Sequence, residues 1–164
     1  METSLLPFLT LNKIRGMFMK TSKIVIVLSI LFLSQMIYAG KFLAMDQTDI
    51  EQTITEFVKS IDNGNADQLS QNVLPHATIV IVNQLTNKVE NYSSEQFLTL
   101  VKNGQKGGWK RIVAIGPVTI DGNTAVAKFD ITDPKIKESG FITLIKDNGT
   151  WKIADQVSTL KLNK

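Results

Sequence analysis

The sequence predicts an α+β fold: a strongly curved antiparallel sheet with about three N-terminal helices packed on its concave face, which gives a cone. Two observations support this class. Apolar residues at helical spacing are concentrated in the first half of the domain, and after residue 109 the chain reads as strands joined by turn residues. Helices followed by hairpin-linked strands are typical of a sheet covered on one face. Residues 40–164 have the usual size of a single domain.

The first helix is predicted to begin near Thr48, because its hydroxyl and the carboxylate of Glu51 can cap each other's backbone donors. Asn63-Gly64 marks the end of this helix. Between these points the apolar residues recur at helical spacing: Ile50, Ile54, Phe57, Val58 and Ile61. A second, short helix is predicted over residues 65–73, before Pro75.

The remaining segments are predicted as six strands and one further helix. The third helix, residues 93–101, opens with a capping sequence and separates the second strand from the third. Asp121-Gly122 and Asn148-Gly149 favour tight hairpin turns, and Asp133-Pro134 starts a longer connection. The predicted strands are residues 77–82, 88–92, 109–120, 124–132, 140–146 and 150–160.

Residues 1–39 are predicted to be an N-terminal extension and signal peptide. Lys20 and Lys23 precede an apolar run over residues 24–37, and Ala39 supplies the small residue before the cleavage site. The alternative is an uncleaved anchor, but the run is shorter than the roughly 20 apolar residues that span a membrane. We therefore expect an exported protein, periplasmic or secreted, that meets the membrane only transiently through this segment.

Loss of that segment would make the domain electrically neutral. The full chain has 18 Lys and Arg against 15 Asp and Glu, and four of these cations but only one acid precede Gly40. A neutral domain lacks the basic surface of a nucleic-acid binder, so that class is excluded. The chain has no cysteine, so its stability must come from the core without disulfides.

The order helix, helix, strand, strand, helix and four long strands resembles the nuclear transport factor 2-like superfamily. The last hairpin, Leu144–Ile153, and the Leu-Pro-His-Ala sequence at Leu74–Ala77 are similar to its exported members described as putative lumazine-binding. The resemblance covers about residues 47–160 and implies a cystatin-like cone. It does not imply one activity, because this superfamily contains isomerases, dehydratases, transport adaptors and binding domains.

Four side chains are candidates for lining a ligand pocket: His76, Tyr92, Thr143 and Asp155. Strand alternation places Asp155 on one face with Trp151 and Ile153, where desolvation would raise its pKa and suit it to be a general base or ligand anchor. Thr143 alternates in the same way on the preceding strand. The alternatives are structural: a wet sheet edge for Asp155, strand formation for Thr143, capping for His76 and core packing for Tyr92.

A cationic, glycine-rich loop follows the third helix and contains Lys102, Lys106, Lys110 and Arg111. Its spacing does not match a phosphate-binding P-loop, so we interpret it as a mobile, solvated loop. Catalytic, metal-binding and calcium-binding motifs are absent from the sequence, and no cofactor or metal is expected.

These observations favour a non-catalytic exported domain that holds a small, partly apolar molecule in the cone. One alternative is an isomerase or dehydratase that uses Asp155 or His76 as its base. A second alternative is a homodimer formed through the open face of the sheet.

Overall fold

The structure is a computed structural model, and it describes residues 44–163. The predicted signal peptide and the domain boundary at residue 40 lie outside the described residues, so both stay predictions. The predicted three helices and six strands are all present, in the predicted order. They are α1 (44–62), α2 (Ala66–Asn72), β1 (Val73–Asn83), β2 (Lys88–Ser93), α3 (Ser94–Lys102), β3 (Ile112–Asp121), β4 (Thr124–Thr132), β5 (Ile136–Asp147) and β6 (Thr150–Leu162).

The strands form one curved, unclosed sheet in the order β2-β1-β6-β5-β4-β3. Four of the five strand pairs are antiparallel, and the pair of β1 with β6 is parallel. The parallel pair arises because the chain crosses to β3 at the far edge after α3, then returns through hairpins until β6 lies beside β1. The predicted fold class is confirmed, with this one parallel pair in an otherwise antiparallel sheet.

The helices cover one face of the sheet, which we call the inner face, and the other face is called the outer face. The predicted apolar stripe of α1 is almost completely buried: Ile50, Ile54, Phe57, Val58 and Ile61. In α3 the predicted cap is confirmed, because the Ser93 hydroxyl accepts from the backbone of Gln96 while the Gln96 side chain accepts from the backbone of Ser93. Helices and sheet thus share one apolar core.

Two strands begin earlier than predicted. The first continues directly from α2 at Val73, and its ladder with β6 is irregular between Val73 and Thr78. That irregularity accommodates Pro75, which has no N–H to donate to a ladder. The fifth strand begins at Ile136 because the polar residues before Gly140, which suggested a loop, pair with the end of β6.

A β-bulge in β6 exchanges the two faces of that strand. Leu144 pairs with Ile153 and Thr143 pairs with Asp155, so Ala154 is the extra residue and has no partner on β5. An extra residue reverses the side-chain alternation beyond it. The prediction that Asp155 shares a face with Ile153 was therefore wrong.

The close approach of β5 to β6 beyond the bulge depends on Gly140. It pairs with Ser158, and a Cβ atom at Gly140 would lie 2.2 Å from the carbonyl oxygen of Val157. That oxygen belongs to the sheet backbone and cannot move aside. Glycine is thus required where the polar residues of the two strands meet on the inner face.

Candidate functional site

Beyond the bulge, the inner face carries buried polar side chains instead of apolar ones. Gln156 and Ser158 of β6 are 4% and 3% exposed, and Glu138 of β5 is 7% exposed. Asp62, at the end of α1, and Arg111, just before β3, complete the group. We call these five residues the polar cluster.

Arg111 connects the helical layer to the sheet. Its Nε donates to Oδ1 of Asp62 at 2.6 Å, and its backbone N–H donates to Oδ2 at 3.2 Å. On the other side its Nη1 lies 3.7 Å from Oε2 of Glu138. The guanidinium also lies 4.7 Å from the centre of the Trp109 ring, within cation–π range. Two carboxylates and an aromatic ring thus hold one cation in a fixed position.

The glycine-rich loop places Arg111 there by lying against the end of α1. Gly108 donates its N–H to the carbonyl of Asp62 at 2.8 Å. Gly107 has a φ of 126°, and a Cβ atom there would lie 2.5 Å from the carbonyl oxygen of Ile61. Gly107 therefore permits the close approach of the loop to α1. The interpretation of a solvated loop was wrong for Arg111, whose side chain is 6% exposed.

Glu138 fixes the direction of the hydrogen bonds in the polar cluster. Its Oε1 accepts from Nε2 of Gln156 at 2.8 Å and from the hydroxyl of Ser158 at 2.6 Å. The Ser158 oxygen in turn accepts from the same amide at 3.2 Å. A carboxylate only accepts hydrogen bonds, so the Gln156 side chain must turn its NH₂ group toward Glu138.

Two buried polar atoms of this cluster have no partner among the described residues: Nη2 of Arg111 and Oε1 of Gln156. An unpaired buried donor or acceptor costs about 1–3 kcal/mol, so such atoms in a native structure call for an explanation. One atom is a donor and the other an acceptor.

Both residues line the same cavity, which has a volume of about 100 Å³. The walls also include the apolar side chains Phe57, Ile61, Ile81, Phe97, Ile131, Ile136 and Leu160, together with Lys106, Trp109 and Glu138. An apolar wall with a few fixed polar groups is typical of small-molecule sites. Since a cavity of about 150 Å³ holds benzene, this smaller one has room for one edge of a ring or one end of a larger molecule.

A second group of polar residues adjoins the cavity through Lys106. Its Nζ lies 3.1 Å from Oε2 of Glu90, which also accepts from the hydroxyl of Tyr92 at 2.9 Å. Burial raises the pKa of Glu90, but hydrogen bonds from Asn83, Lys106 and Tyr92 outweigh it and hold the pKa below its ordinary value. Burial is the main cause that raises the pKa of Tyr92, and the hydrogen bond to Glu90 raises it further. Glu90 thus stays ionised and neutralises Lys106.

The four side chains predicted from the sequence are not brought together. His76 is exposed on β1, and Thr143 pairs with the exposed Asp155 on the outer face. Tyr92 is half-buried, and the centre of its ring lies 5.9 Å from that of Phe97, a cavity wall residue. Only Tyr92 is thus near the cavity, one residue removed from its wall.

The sequence reasoning missed all five members of the polar cluster as a site. Gln156 and Ser158 do alternate with Val157, as side chains of one face do. Their face could not be assigned, however, without knowing that Ala154 is a bulge.

Within residues 44–163, no three His, Cys, Asp or Glu side chains are grouped so that they could hold a metal ion. No helix in this same range is both long and apolar enough to cross a membrane.

Residues 45–157 match a protein-family model described as putative lumazine-binding. This range covers the three helices, apart from the first residue of α1, together with five strands and most of the sixth. It contains every member of the polar cluster except Ser158. No curated protein matches the chain.

Several solved structures share the fold. A nuclear transport factor 2-like protein of unknown function from Silicibacter pomeroyi has a TM-score of 0.62 and 14% identity, over 74% of this chain and 98% of its own. One from Methylobacillus flagellatus has a TM-score of 0.60 and 20% identity, over 71% and 92%. A third, from Novosphingobium aromaticivorans and described as having a cystatin-like fold, has a TM-score of 0.59 and 16% identity, over 76% and 87%. These similarities establish the fold alone.

Proposed function

Since the chain belongs to the putative lumazine-binding family, we propose that its domain binds a small molecule in the cavity beside Arg111 and Gln156. One observation carries this proposal: a buried donor and a buried acceptor, both without partners among the described residues, belong to side chains that line one largely apolar cavity. A ligand that bonds both atoms would remove the cost of leaving them unpaired.

The surroundings of the carboxylates favour binding over proton abstraction. Three donor groups bond or approach Glu138, and Arg111 bonds both oxygens of Asp62. A general base must lie within hydrogen-bond reach of the proton that it abstracts, and these oxygens already accept from donors of the protein itself. The enzyme alternative with Asp155 or His76 as base gains no support, because both side chains are exposed and neither lines the cavity.

Thermal unfolding of the purified protein with a compound panel tests this proposal. The panel contains lumazine, flavin precursors, and steroid-like and polyketide-like compounds. A ligand at 100 times its Kd should add about 2.7 kcal/mol to the free energy of unfolding. If no compound raises the unfolding midpoint of the folded protein, the proposal is wrong.

A pair of variants on β6 locates the binding site. Leu160→Phe enlarges a half-buried wall residue of the cavity, so it should reduce the ligand-induced rise in midpoint. Leu162→Phe makes the same change two residues later, at a side chain that is 63% exposed, and should leave the rise intact. Equal effects of the two substitutions would place the ligand elsewhere.

We also propose that the protein is exported, and the basic and apolar segment over residues 20–39 supports this. Cell fractionation followed by N-terminal sequencing tests it. A mature chain that begins at Gly40, recovered outside the cytoplasm, is the expected result. A chain that keeps the apolar segment would contradict cleavage.

We further propose that two copies associate through the outer face of the sheet. Val80, Val157 and Phe141 lie in register across three strands, and the latter two are 54% and 57% exposed. Contiguous exposed apolar side chains mark interaction sites. Phe141→Glu should lower the mass measured by sedimentation, whereas Met45→Glu, at an exposed position on α1, should not. A monomer at high concentration before any substitution would refute the dimer.

A further inference from the structure

The polar cluster also indicates which chemical groups the ligand carries. We infer that the ligand is uncharged and inserts an edge with a carbonyl oxygen next to an N–H, as found in lactams, cyclic imides and cyclic ureas. This inference rests on the proposed function, because it specifies the chemistry of a ligand in the same cavity. It follows from three features of the polar cluster: its free donor, its free acceptor and its charge.

The free donor is Nη2 of Arg111. The guanidinium cannot turn to satisfy this atom by giving up another bond, because Nε is bound to Asp62 and Nη1 faces Glu138. The backbone N–H of the same residue also bonds Asp62, which fixes the base of the side chain. The oxygen that accepts from Nη2 must therefore belong to the ligand.

The free acceptor is Oε1 of Gln156, and Glu138 determines that it is an oxygen. If the amide were reversed, two oxygens that can only accept would face each other, and both hydrogen bonds from Nε2 would be lost. The group that bonds Oε1 must therefore be a donor. Glu138 acts here as a positioning residue, because it sets the orientation of the amide that meets the ligand.

The free donor and the free acceptor belong to side chains that meet the two oxygens of one carboxylate and line one cavity. Arg111 faces Oε2 of Glu138, and Gln156 bonds Oε1. A ligand edge that bonds both Nη2 and Oε1 must thus offer both an acceptor and a donor. A carbonyl attached directly to an N–H has this arrangement.

The charge of the polar cluster excludes an anion. Two carboxylates, Asp62 and Glu138, face the single guanidinium of Arg111. The nearby ammonium of Lys106 is already paired with Glu90. A carboxylate or phosphate ligand would therefore enter a buried site with excess negative charge, and a buried charge that is not compensated is strongly unfavourable.

Three small probes of similar size test this inference on the unaltered protein: 2-pyridone, N-methyl-2-pyridone and benzoate. Each of the three has a single ring, one edge of which can enter the cavity. By titration, 2-pyridone should bind roughly tenfold more tightly than its N-methyl analogue, because methylation leaves the Gln156 oxygen unpaired. Benzoate should bind more weakly than either compound.

Equal affinities for the two pyridones, or tightest binding of benzoate, would overturn the inference and leave the proposed binding function intact. Failure of every probe and of every compound in the larger panel would overturn both. The two proposals can thus fail separately.

A substitution of Gln156 tests the role of its oxygen. Gln156→Leu should reduce the tenfold preference for 2-pyridone to about onefold. The matched control Gln71→Leu changes an exposed residue of α2 and should keep the preference. Circular dichroism checks that each variant is folded. If Gln156→Leu folds and keeps the full preference, another group accepts the hydrogen bond from the N–H and the inference is wrong. If the variant does not fold, the affinities of the three probes for the unaltered protein decide whether the inference holds.

Discussion

The two halves of β6 lie in the same sheet, but their inner faces have opposite chemical characters. Before Ala154 the inner face carries Trp151 and Ile153, which are 2% and 0% exposed and belong to the apolar core. After Ala154 it carries Gln156 and Ser158, which are almost equally buried but are bound to a carboxylate. Burial alone therefore does not distinguish a core from a site.

What distinguishes the halves is whether the polar atoms are satisfied. In the first half the only polar atom of Trp151 is satisfied, because its indole N–H donates to Asp46 at 3.0 Å. In the second half, one polar atom of Gln156 is left without a partner within the described chain, beside a cavity. We interpret the first half as the stabilising part and the second as the binding part.

The largest expected effect concerns the apolar half alone. Trp151→Ala removes a large buried side chain and should lower the free energy of unfolding by about 3–5 kcal/mol. Val157→Ala, on the same strand but 54% exposed, should cost well under that amount. Urea denaturation of both variants measures the difference, and similar losses would mean that Trp151 is not part of the core.

A smaller loss of stability is expected from the polar half. Arg111→Met leaves Asp62 and Glu138 buried without their cation, which should cost about 3 kcal/mol, since removal of one partner from a buried ion pair is strongly destabilising. Lys110→Met removes the neighbouring exposed cation and should change the same quantity by less than about 0.5 kcal/mol. Equal effects in urea denaturation would mean that the buried pair contributes nothing specific.

The smallest effect is a change in acid sensitivity at the apolar half. Hydrogen bonds from Lys146 and then from Trp151 hold the pKa of Asp46 below its ordinary value of 3.8. A lowered pKa in the folded state gives stability that is present above pH 3.8 and is lost as the pH falls through the folded-state pKa.

Asp46→Asn should therefore unfold at a lower temperature than the unaltered protein at pH 7. The two midpoints should converge as the pH is lowered below the ordinary pKa of the carboxyl group. Midpoints that stay equally far apart at pH 7 and pH 3 would show that ionised Asp46 does not hold α1 to the last hairpin.

Much of the fold was predictable because its signals are local. The α1 stripe, the Ser93 cap and the turn at Asn148-Gly149 each depend on residues within a few positions of one another. Such signals need no knowledge of the rest of the chain. The strand starts at Val73 and Ile136 were missed because pairing with β6, and not local propensity, extends those strands.

The candidate site was not predictable in the same way. The cationic loop was interpreted as solvated, but its Arg111 packs against the end of α1, 49 residues earlier in the chain. Asp155 was placed inward by a regular alternation that the bulge interrupts. Both errors come from contacts between residues that are far apart in sequence.

The sequence by itself thus determined the order of the elements, the cap of α3, the turns and the family resemblance, because these depend on short-range spacing. The start predicted near Thr48 was wrong, since α1 already includes residue 44. Only the tertiary structure decided which polar side chains share a cavity. Asp62, Arg111, Glu138 and Gln156 come from a helix end, a loop and two strands. Their meeting depends on the extra residue in β6 and on the backbone contacts that Gly107 and Gly140 permit. These are long-range steric conditions, which no local pattern expresses.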